Sequence, residues 1–458
     1  MIKELINYLK DKKILILGFG LEGQSTYKFI REYLKEKIIH ISDKEENFEK
    51  KSELLKQDKN VICISGEKYL DNLEKYDVII KAPGISFMNL DISKFTSKIT
   101  SQLELLLEFF DVYTIGITGT KGKSTTSTLI YEVLKNQGIN CMLLGNIGTP
   151  VFEHIDEIKE KMTLVLEMSS HQLEYMKKST NISIILNIYE EHLDHYKTLE
   201  DYAKAKCNIF KYQKENDYFL HSIDSEILNK ELKKCHITGK EYKISLEDRT
   251  SENNKLIVKD DKVYIGDKVL YNTLNKRNLL GKYNLSNLMF ALAVNEILNL
   301  NLSKTIDTIN NFQPLPHRIE RVGEFNGITY YNDSIATIPE ATINSIEALE
   351  NVNTLIIGGM DRGVNFEKFI EYLNNSKIEN LICMPETGHS IGKKITNKKI
   401  KVYMVEAMED AVNTAKKVTK ENMICLLSPA AASYGFFKNF KEKGEIYKRL
   451  VRESVLPN

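Results

Sequence analysis

Short apolar runs alternate with amphipathic segments along almost the whole of this 458-residue chain. Runs such as KILIL, IIHIS, DVIIK and TLIIG are rich in Ile, Val and Leu, and most of them end at Gly, Ser or Pro. Such runs are typical of parallel strands that helices cover on both faces. The alternation therefore predicts an α/β fold.

The alternation comes in three series, and the length suits roughly three domains. Residues 1–108 predict a Rossmann-like N-terminal domain, and residues 109–313 a central domain with a mainly parallel sheet. Between about 216 and 274 the segment KLIVKDDKVYIGDKVLY has the turns of antiparallel hairpins, which indicates a β elaboration of the central domain. After the proline-rich segment FQPLPHR, residues 314–458 predict a Rossmann-like C-terminal domain.

Charge and cysteine usage restrict the partners and the compartment. Sixty-three basic residues balance sixty-three acidic ones, so no overall field attracts nucleic acid or an anionic membrane. The six cysteines include no CxxC pair, which is typical of reduced thiols, and no apolar run reaches the length of a membrane span. We expect a cytoplasmic protein that binds neither nucleic acid nor membrane.

A glycine-rich loop follows the predicted strand VYTIGIT and precedes a helix predicted to start at Ser124. The segment IGITGTKGKSTT departs from the pattern GxxxxGK[ST], because Ile117 stands where the pattern has its first glycine. Backbone amides at a helix N-terminus bind phosphate, Lys123 would neutralise it, and the Ser124 hydroxyl would bind Mg²⁺. The coincidence of strand, loop, lysine, hydroxyl and helix favours ATP binding over an ordinary glycine-rich turn. The predicted phosphate-binding residues are Gly119, Thr120, Lys121, Gly122, Lys123, Ser124 and Thr125.

Two further side chains are expected at the same sheet edge. Glu167 ends the strand TLVLE, where a carboxylate can bind Mg²⁺ beside the phosphate loop. His192 lies just past the next strand, although a histidine in that position is more often solvated than ligating. By spacing alone, Lys206 in YAKAKCNIF reads as a solvent-facing lysine, and its ammonium would repel Mg²⁺.

The segment GFGLEG follows the first strand, and Asp43 ends the second one. On its own this arrangement is a complete dinucleotide fingerprint. Taken alone, it predicts that the N-terminal domain binds NAD.

Nine motifs occur together in one order along nearly the whole chain: GTKGKST, NIG, LEMSSHQLE, EEHLDHY, YAKAKCNIF, GKYNLSN, LPHRIE, YYNDS and LLSPAAASYGFFKNF. In this order and spacing the chain resembles the Mur ligase family of peptidoglycan synthesis. The resemblance implies a monomeric ligase that uses ATP and Mg²⁺ to join glutamate to UDP-N-acetylmuramoyl-L-alanine through an acyl phosphate.

The same resemblance implies roles for individual residues. Ser124 and Glu167 would hold one Mg²⁺, and His192 and a carbamylated Lys206 would hold another, since carbamylation turns the cation into an anionic oxygen donor. The implied catalytic residues are Lys123, His192, Lys206 and Arg318. The implied ATP contacts outside the phosphate loop are Asn284, Arg318 and Asp333, with His317 beside them. The implied UDP-sugar contacts are Gly18, Phe19, Gly20, Leu21, Glu22, Gly23, Asp43, Gly84 and Asn146.

The implied glutamate contacts are Thr337, Arg362, Ser433 and Phe440. This region departs from the family pattern, because Ile335 replaces a lysine, Ala431 a cysteine and Gly435 an aspartate. Arg362 stands where a lysine is usual, and a guanidinium suits bidentate binding of a carboxylate. The departures are either neutral drift in a loop that Arg362 compensates or the mark of an altered pocket for L-glutamate. Of the two amino acids, D-glutamate is the favoured expectation and L-glutamate stays open.

Two alternatives belong to other functional classes. A folylpolyglutamate-synthase-like ligase shares the phosphate loop and the lysine, but such ligases usually lack the N-terminal GxGxxG domain that is present here. A non-catalytic nucleotide-sugar sensor that keeps its phosphate loop stays open, and measured turnover discriminates it from an enzyme.

Overall fold

The computed structural model describes residues 1–145, 150–192, 195–247, 254–349, 351–361, 364–433 and 435–453. Within these residues the strands form three sheets, and each sheet is combined with helices. The predicted fold class, three successive α/β folds with a β elaboration of the central one, is confirmed.

The chain forms two compact units. One comprises Met1–Lys276 and Leu285–Asn310 and contains the first two sheets; the other comprises Arg277–Asn284 and Asn311–Asn458 and contains the third.

The first sheet has five parallel strands in the order β3-β2-β1-β4-β5. Its strands are β1 (Ile14–Leu17), β2 (Ile39–Asp43), β3 (Val61–Ser65), β4 (Val78–Lys81) and β5 (Ile99–Thr100). Its helices are α1 (Ile2–Lys10), α2 (Leu21–Tyr33), α3 (Phe48–Lys51) and α4 (Gln102–Phe109), with 3₁₀ turns at Gly66–Leu70, Leu73–Lys75 and Thr96–Lys98. The strand order reverses beside β1, so the loops after β1 and β4 meet at one edge, which is where nucleotides bind in such sheets.

The second sheet has nine strands in the order β14-β13-β12-β11-β10-β9-β6-β8-β7. They are β6 (Tyr113–Thr118), β7 (Cys141–Gly145), β8 (Thr163–Glu167), β9 (Ile182–Ile185), β10 (Tyr218–Ser222), β11 (Lys240–Ser245), β12 (Lys255–Lys259), β13 (Lys262–Ile265) and β14 (Lys268–Asn272). The helices are α5 (Lys123–Asn136), α6 (Ser170–Leu173), α7 (Leu199–Lys211), α8 (Glu226–Leu232), α9 (Lys282–Ile297) and α10 (Leu302–Asn311), with a 3₁₀ segment at Val151–Glu157.

The antiparallel elaboration is shorter than the stretch from about 216 to 274. Only β12, β13 and β14 pair antiparallel, whereas β10 and β11 extend the parallel sheet. Helix α8 connects β10 to β11, and a helical crossover brings the second strand back in the same direction.

In the described part of the chain, the third sheet has six strands in the order β15-β16-β20-β17-β18-β19, and among these the β15–β16 pair alone is antiparallel. They are β15 (Glu320–Phe325), β16 (Ile328–Asn332), β17 (Val352–Ile357), β18 (Asn380–Cys383), β19 (Lys401–Met404) and β20 (Ile424–Leu427). The helices are α11 (Pro339–Ala348), α12 (Glu367–Asn375), α13 (Thr387–Gly392), α14 (Met408–Val418) and α15 (Phe440–Glu453). Ile356 packs into one apolar cluster, and its neighbours Leu355 and Ile357 pack into another, so both faces of the sheet are covered.

Candidate active site

The phosphate loop connects β6 to α5 at the carboxyl edge of the second sheet. Gly122 has a φ of 88°, which favours glycine, and it is the N-cap of α5. The Lys123 ammonium folds back over the loop and donates to the carbonyl oxygens of Gly119 at 2.9 Å and Thr120 at 3.1 Å. The predicted strand, loop and helix are therefore present, with a cation held against the loop.

Asn187, just past the end of β9, fixes the backbone of the phosphate loop. Its carbonyl oxygen accepts from the Thr120 N–H at 3.0 Å, and its side-chain oxygen accepts from the Lys121 N–H at 2.9 Å. Its amide nitrogen in turn donates to the Lys121 carbonyl at 3.0 Å. The sequence does not reveal this role of Asn187, because the contact joins residues 66 positions apart.

Asn287 of α9 packs against the same loop. A Cβ on Gly122 would lie 2.5 Å from the Asn287 Oδ1, so this position has no room for a side chain. Asn287 is therefore a further candidate site residue. It lies in the motif GKYNLSN together with Asn284, but only Asn284 was predicted from the sequence.

Glu167 ends β8 directly beside the strand that leads into the loop. It is paired with Ile117 of β6, and the Met168 N–H donates to the Ile117 carbonyl at 2.9 Å. Its side chain is buried. The structure therefore places this carboxylate at the same sheet edge as the phosphate loop, as the strand pattern predicted.

Lys206 of α7 is 1% exposed, so the reading as a solvent-facing lysine is wrong. Its ammonium donates to the Gly119 carbonyl at 3.0 Å and to the Thr118 hydroxyl at 3.4 Å, and it lies 4.7 Å from the ring centroid of Tyr202. Within the described residues it makes no ion pair. Burial and the nearby positive charge of Lys123 hold the pKa of Lys206 well below its usual value.

Three histidines lie together beside this edge. The His171 ring centroid is 4.7 Å from that of His192 and 4.2 Å from that of His195. Burial and the neighbouring histidines lower the pKa of His171 to about 4. His195 contacts Glu174 at 3.0 Å, and Lys81 at the end of β4 lies 3.6 Å from the same carboxylate. Only His192 was named from the sequence; the other two lie in the motifs LEMSSHQLE and EEHLDHY.

Oxygen ligands suit the metal that the resemblance implies. In the described part of the chain, no cluster of three or more His, Cys, Asp or Glu side chains is arranged to hold a metal ion. The Ser124 hydroxyl and the Glu167 carboxylate are hard oxygen donors, which Mg²⁺ prefers, and Mg²⁺ commonly completes its shell with phosphate oxygens and water. These two residues therefore fit a magnesium ion that arrives with a nucleotide.

The loop after β1 forms a second candidate binding region. A Cβ on Gly18 would lie 2.8 Å from the Ala82 Cβ, so this loop touches the segment after β4 that contains the exposed Gly84. The Asp43 carboxylate accepts from the backbone N–H groups of Phe19 at 2.6 Å and Glu45 at 2.8 Å. Asp43 therefore orders the loop from within.

The same region is joined to the second sheet through Glu22. The side-chain amide of Gln172, in α6, donates to the Glu22 carboxylate at 2.9 Å. Burial raises the pKa of Glu22. The structure thus brings residues 18–23, Asp43 and Gly84 to one edge, while Asn146 lies outside the described residues.

Asn284, Arg318 and Asp333 all belong to the unit that contains the third sheet. Asp333 is buried at the end of β16, where it accepts from the hydroxyls of Ser345 at 2.6 Å and Ser428 at 2.8 Å. Burial raises its pKa to about 6, although these hydrogen bonds and the charge of Arg318 act in the opposite direction. Asn284 donates to the Leu280 carbonyl at 2.6 Å.

Three of the four predicted glutamate contacts lie in the described part of the third fold. Ser433 is buried, Thr337 is half-buried, and Phe440 begins α15 with its carbonyl accepting from the Ser334 hydroxyl at 2.9 Å. Arg362 lies outside the described residues.

In the described part of the chain, no helix combines the length and hydropathy that a transmembrane span requires.

Family models match this chain in three consecutive segments. Residues 12–101 match the Mur ligase MurD-like N-terminal domain, residues 117–295 the Mur ligase middle domain, and residues 317–431 the Mur ligase glutamate ligase domain.

Two curated relatives match over nearly their whole length. A protein of Clostridium botulinum (strain Langeland) named UDP-N-acetylmuramoylalanine--D-glutamate ligase is 35% identical, over 97% of this chain and 97% of its own. A protein of the same name from Clostridium kluyveri is 34% identical, over 97% of this chain and 98% of its own.

Solved structures show the same fold. The MurF ligase of Thermotoga maritima in complex with ADP superposes with a TM-score of 0.60 at 17% identity, covering 98% of this chain and 97% of that one. The UDP-N-acetylmuramate-alanine ligase MurC of the same organism has a TM-score of 0.59 at 19% identity, covering 97% of this chain and all of that one.

Proposed function

Because this chain belongs to the Mur ligase family, we propose that it adds D-glutamate to UDP-N-acetylmuramoyl-L-alanine at the expense of ATP, a cytoplasmic step of peptidoglycan synthesis. The observation that carries the proposal is the concentration of Lys123, Glu167 and Lys206 at the sheet edge that holds the phosphate loop. The names of the curated relatives support glutamate as the amino acid.

The proposed reaction has two steps. The terminal carboxylate of the UDP-sugar attacks the γ-phosphorus of ATP, and the bond from this phosphorus to the β–γ bridging oxygen breaks. The products are ADP, which is the leaving group, and an acyl phosphate. The amine of glutamate then attacks the acyl carbon, the tetrahedral intermediate expels phosphate, and the nitrogen loses a proton. In the first step two anions must approach, so Lys123 and Arg318 are proposed to offset their repulsion.

Ser124 and Glu167 are proposed to hold one Mg²⁺, and His192 with a carbamylated Lys206 another. When bound, these ions neutralise charge on the phosphates. Carbamylation adds CO₂ to the neutral amine and releases a proton. The burial of Lys206 beside a second lysine supports this step, because both effects favour the neutral amine over the ammonium.

Substrate binding is proposed to divide among three domains, 1–108, 109–313 and 314–458. The loop at residues 18–23 with Asp43, Gly84 and Asn146 would bind the UDP-sugar. The third domain would bind glutamate through Thr337, Arg362, Ser433 and Phe440, and Asn284, Arg318 and Asp333 would complete the ATP site.

The decisive experiment is phosphate release by the purified chain with ATP, Mg²⁺ and UDP-N-acetylmuramoyl-L-alanine, with D-glutamate or L-glutamate as the added amino acid. We expect release only when both the UDP-sugar and D-glutamate are present. Release with L-glutamate but not with D-glutamate, in the presence of the UDP-sugar, would identify L-glutamate as the added amino acid. The departures at Ile335, Ala431 and Gly435 would then be explained as changes in the amino-acid pocket. No release with either isomer, together with retained UDP-sugar binding, would favour the sensor.

A further inference from the structure

Lys443 on α15 buries an ammonium that the described residues do not neutralise. The residue is 1% exposed, and its Nζ donates to the Gly358 carbonyl at 2.9 Å. An ammonium has three donors, and this is its single hydrogen bond to a described residue. It makes no ion pair within the described residues, and its other neighbour is the ring of Phe437, 5.3 Å away at the centroid. Burial lowers its pKa to about 8.

The ammonium lies at the carboxyl edge of the third sheet, where the loops after two adjacent strands meet. Gly358 directly follows β17, and a Cβ on Gly359 would lie 2.2 Å from the Ala432 carbonyl oxygen, in the segment after β20. The chain runs from β16 to β17 and later returns to place β20 between them, so the strand order reverses here. Ligands of open α/β sheets bind outside such a reversal.

Another buried lysine of the same helix, Lys448, differs from Lys443 because it has carboxylate partners. Lys448 is also buried, but it contacts the carboxylates of Glu320 at 3.0 Å and Glu445 at 2.7 Å. Its pKa is raised, because these contacts outweigh burial. A buried cation without an anion is costly, so the protein supplies two partners for Lys448 and none of its described carboxylates for Lys443.

We propose that Lys443 is a positioning residue of the glutamate site: it fixes the Gly358–Gly359 turn, and its charge favours a carboxylate of the bound amino acid at this edge. The proposal rests on the proposed function. The Ser433 hydroxyl, one residue past the Ala432 that meets this turn, is buried without a hydrogen bond to any described residue, so it too can bind a ligand.

The test uses the full-length chain and four variants. Lys443→Met removes the charge and the donor, Lys443→Gln keeps a donor without the charge, and Lys443→Arg keeps the charge. Lys448→Met is the matched control, since it removes the other buried lysine of α15. The readouts are the KM for glutamate, ATP and the UDP-sugar, kcat, and the thermal midpoint of the apo protein.

We expect Lys443→Met and Lys443→Gln to raise the KM for glutamate about 10-fold or more, the range for losing an interaction with a charged group. The KM for ATP and for the UDP-sugar should stay within about two-fold of wild type, and Lys443→Arg should recover most of the affinity for glutamate. The thermal midpoint should fall less in Lys443→Met than in Lys448→Met, because Lys443 has no ion pair to lose.

Three results would overturn the proposal: a glutamate KM in Lys443→Gln equal to that of wild type, an equal rise in the KM of all three substrates, or an equal rise in Lys448→Met. Should Lys443→Met fail to fold, Lys443→Gln and Lys443→Arg decide between charge and packing. The activity of the wild type distinguishes a failure of this proposal from a failure of the proposed function. Absence of glutamate-dependent turnover in wild type refutes the proposed function and the inference together, whereas an active wild type with indifferent Lys443 variants refutes the inference alone.

Discussion

The carboxyl edges of the second and third sheets each bury a lysine that donates to a glycine carbonyl, Lys206 to Gly119 and Lys443 to Gly358. At the first edge a second cation, Lys123, lies close enough to lower the pKa of Lys206, whereas burial alone acts on Lys443. Two cations held together suit a polyphosphate, and a single buried ammonium suits one carboxylate. The difference supports the proposal that the two edges bind anions of different size and charge.

Replacing Lys123 should give the largest effect, because this ammonium lies against the phosphate loop itself. We expect Lys123→Ala to lower kcat for phosphate release by at least about 1,000-fold, the scale for losing a donor that stabilises developing charge. Calorimetry should show UDP-sugar binding close to wild type, since the proposed UDP-sugar site lies on the first sheet. Lys121→Ala is the control: its side chain is half-exposed and paired with Glu191 at 2.8 Å, so its loss should matter far less. Equal losses in the two variants would contradict a special role for Lys123.

Replacing Lys206 should come next. Lys206→Ala should lower turnover about 100-fold to 1,000-fold, if the side chain provides the anionic oxygen donor that carbamylation creates. Acetate or bicarbonate should restore part of that activity, because a free carboxylate can occupy the vacated space. The matched control is Lys204→Ala on the same helix, an exposed lysine paired with Glu200. An unmodified Lys206 in the intact mass of the active Mg-ATP form would remove the carbamate from the mechanism.

The two edges also differ in how far the sequence predicts them. Around the phosphate loop the chemistry is local: the strand predicted from VYTIGIT is observed at Tyr113–Thr118, and the helix predicted from Ser124 begins one residue earlier. Contacts that join distant segments were missed even there, as with Asn187 and Asn287. The burial of Lys206 was also hidden, because helical spacing does not reveal which packed neighbour covers a polar face.

At the third sheet, the strands follow from their apolar runs, but the charge environment does not. Lys443 and Lys448 stand five positions apart on one helix and look alike in sequence. Only the structure shows that Glu320, on β15, neutralises one of them, and a pairing between residues 128 positions apart has no local signal.

Asp333 carries a buried carboxyl group in the third fold, and it should give a pH-dependent effect on stability. Its pKa rises from 3.8 to about 6 on folding, so the folded state holds its proton more tightly than the unfolded state. Its contribution is therefore complete below about pH 3 and is lost as the pH rises through 6 to about 7, by about 3 kcal/mol for a pKa raised by about two pH units. Urea unfolding should show the free energy of unfolding of wild type, relative to Asp333→Asn, falling by about that amount between about pH 3 and about pH 7.

Asp410→Asn, which removes an exposed carboxyl from α14, controls for the change in net charge. A free energy of unfolding of wild type, relative to Asp333→Asn, that rises with pH over this range would show that folding stabilises the carboxyl as an anion. The carboxyl edges of the second and third sheets would then resemble each other, because each would hold an ionised side chain.

The smallest effect should come from Gly444→Ala, which tests how tightly α15 is packed. A Cβ there would lie 2.3 Å from the His317 Nδ1 and 2.5 Å from the Ser334 hydroxyl, and both atoms are held by hydrogen bonds, to Asn332 and to the Phe440 carbonyl. We expect a loss of about 2 kcal/mol in the free energy of unfolding, typical of overpacking. Gly20→Ala is the control, because a Cβ on Gly20 meets no atom within 4 Å.

The same variant bears on the comparison of the two edges. Gly122 must be glycine because of both its backbone and its contact with Asn287, whereas Gly444 is helical and is restricted by packing alone. If α15 shifts to relieve the clash, Lys443 shifts with it, and the KM for glutamate should rise while the KM for ATP stays near wild type. A Gly444→Ala variant that loses stability without any change in the KM for glutamate would show that the position of α15 does not set the glutamate site.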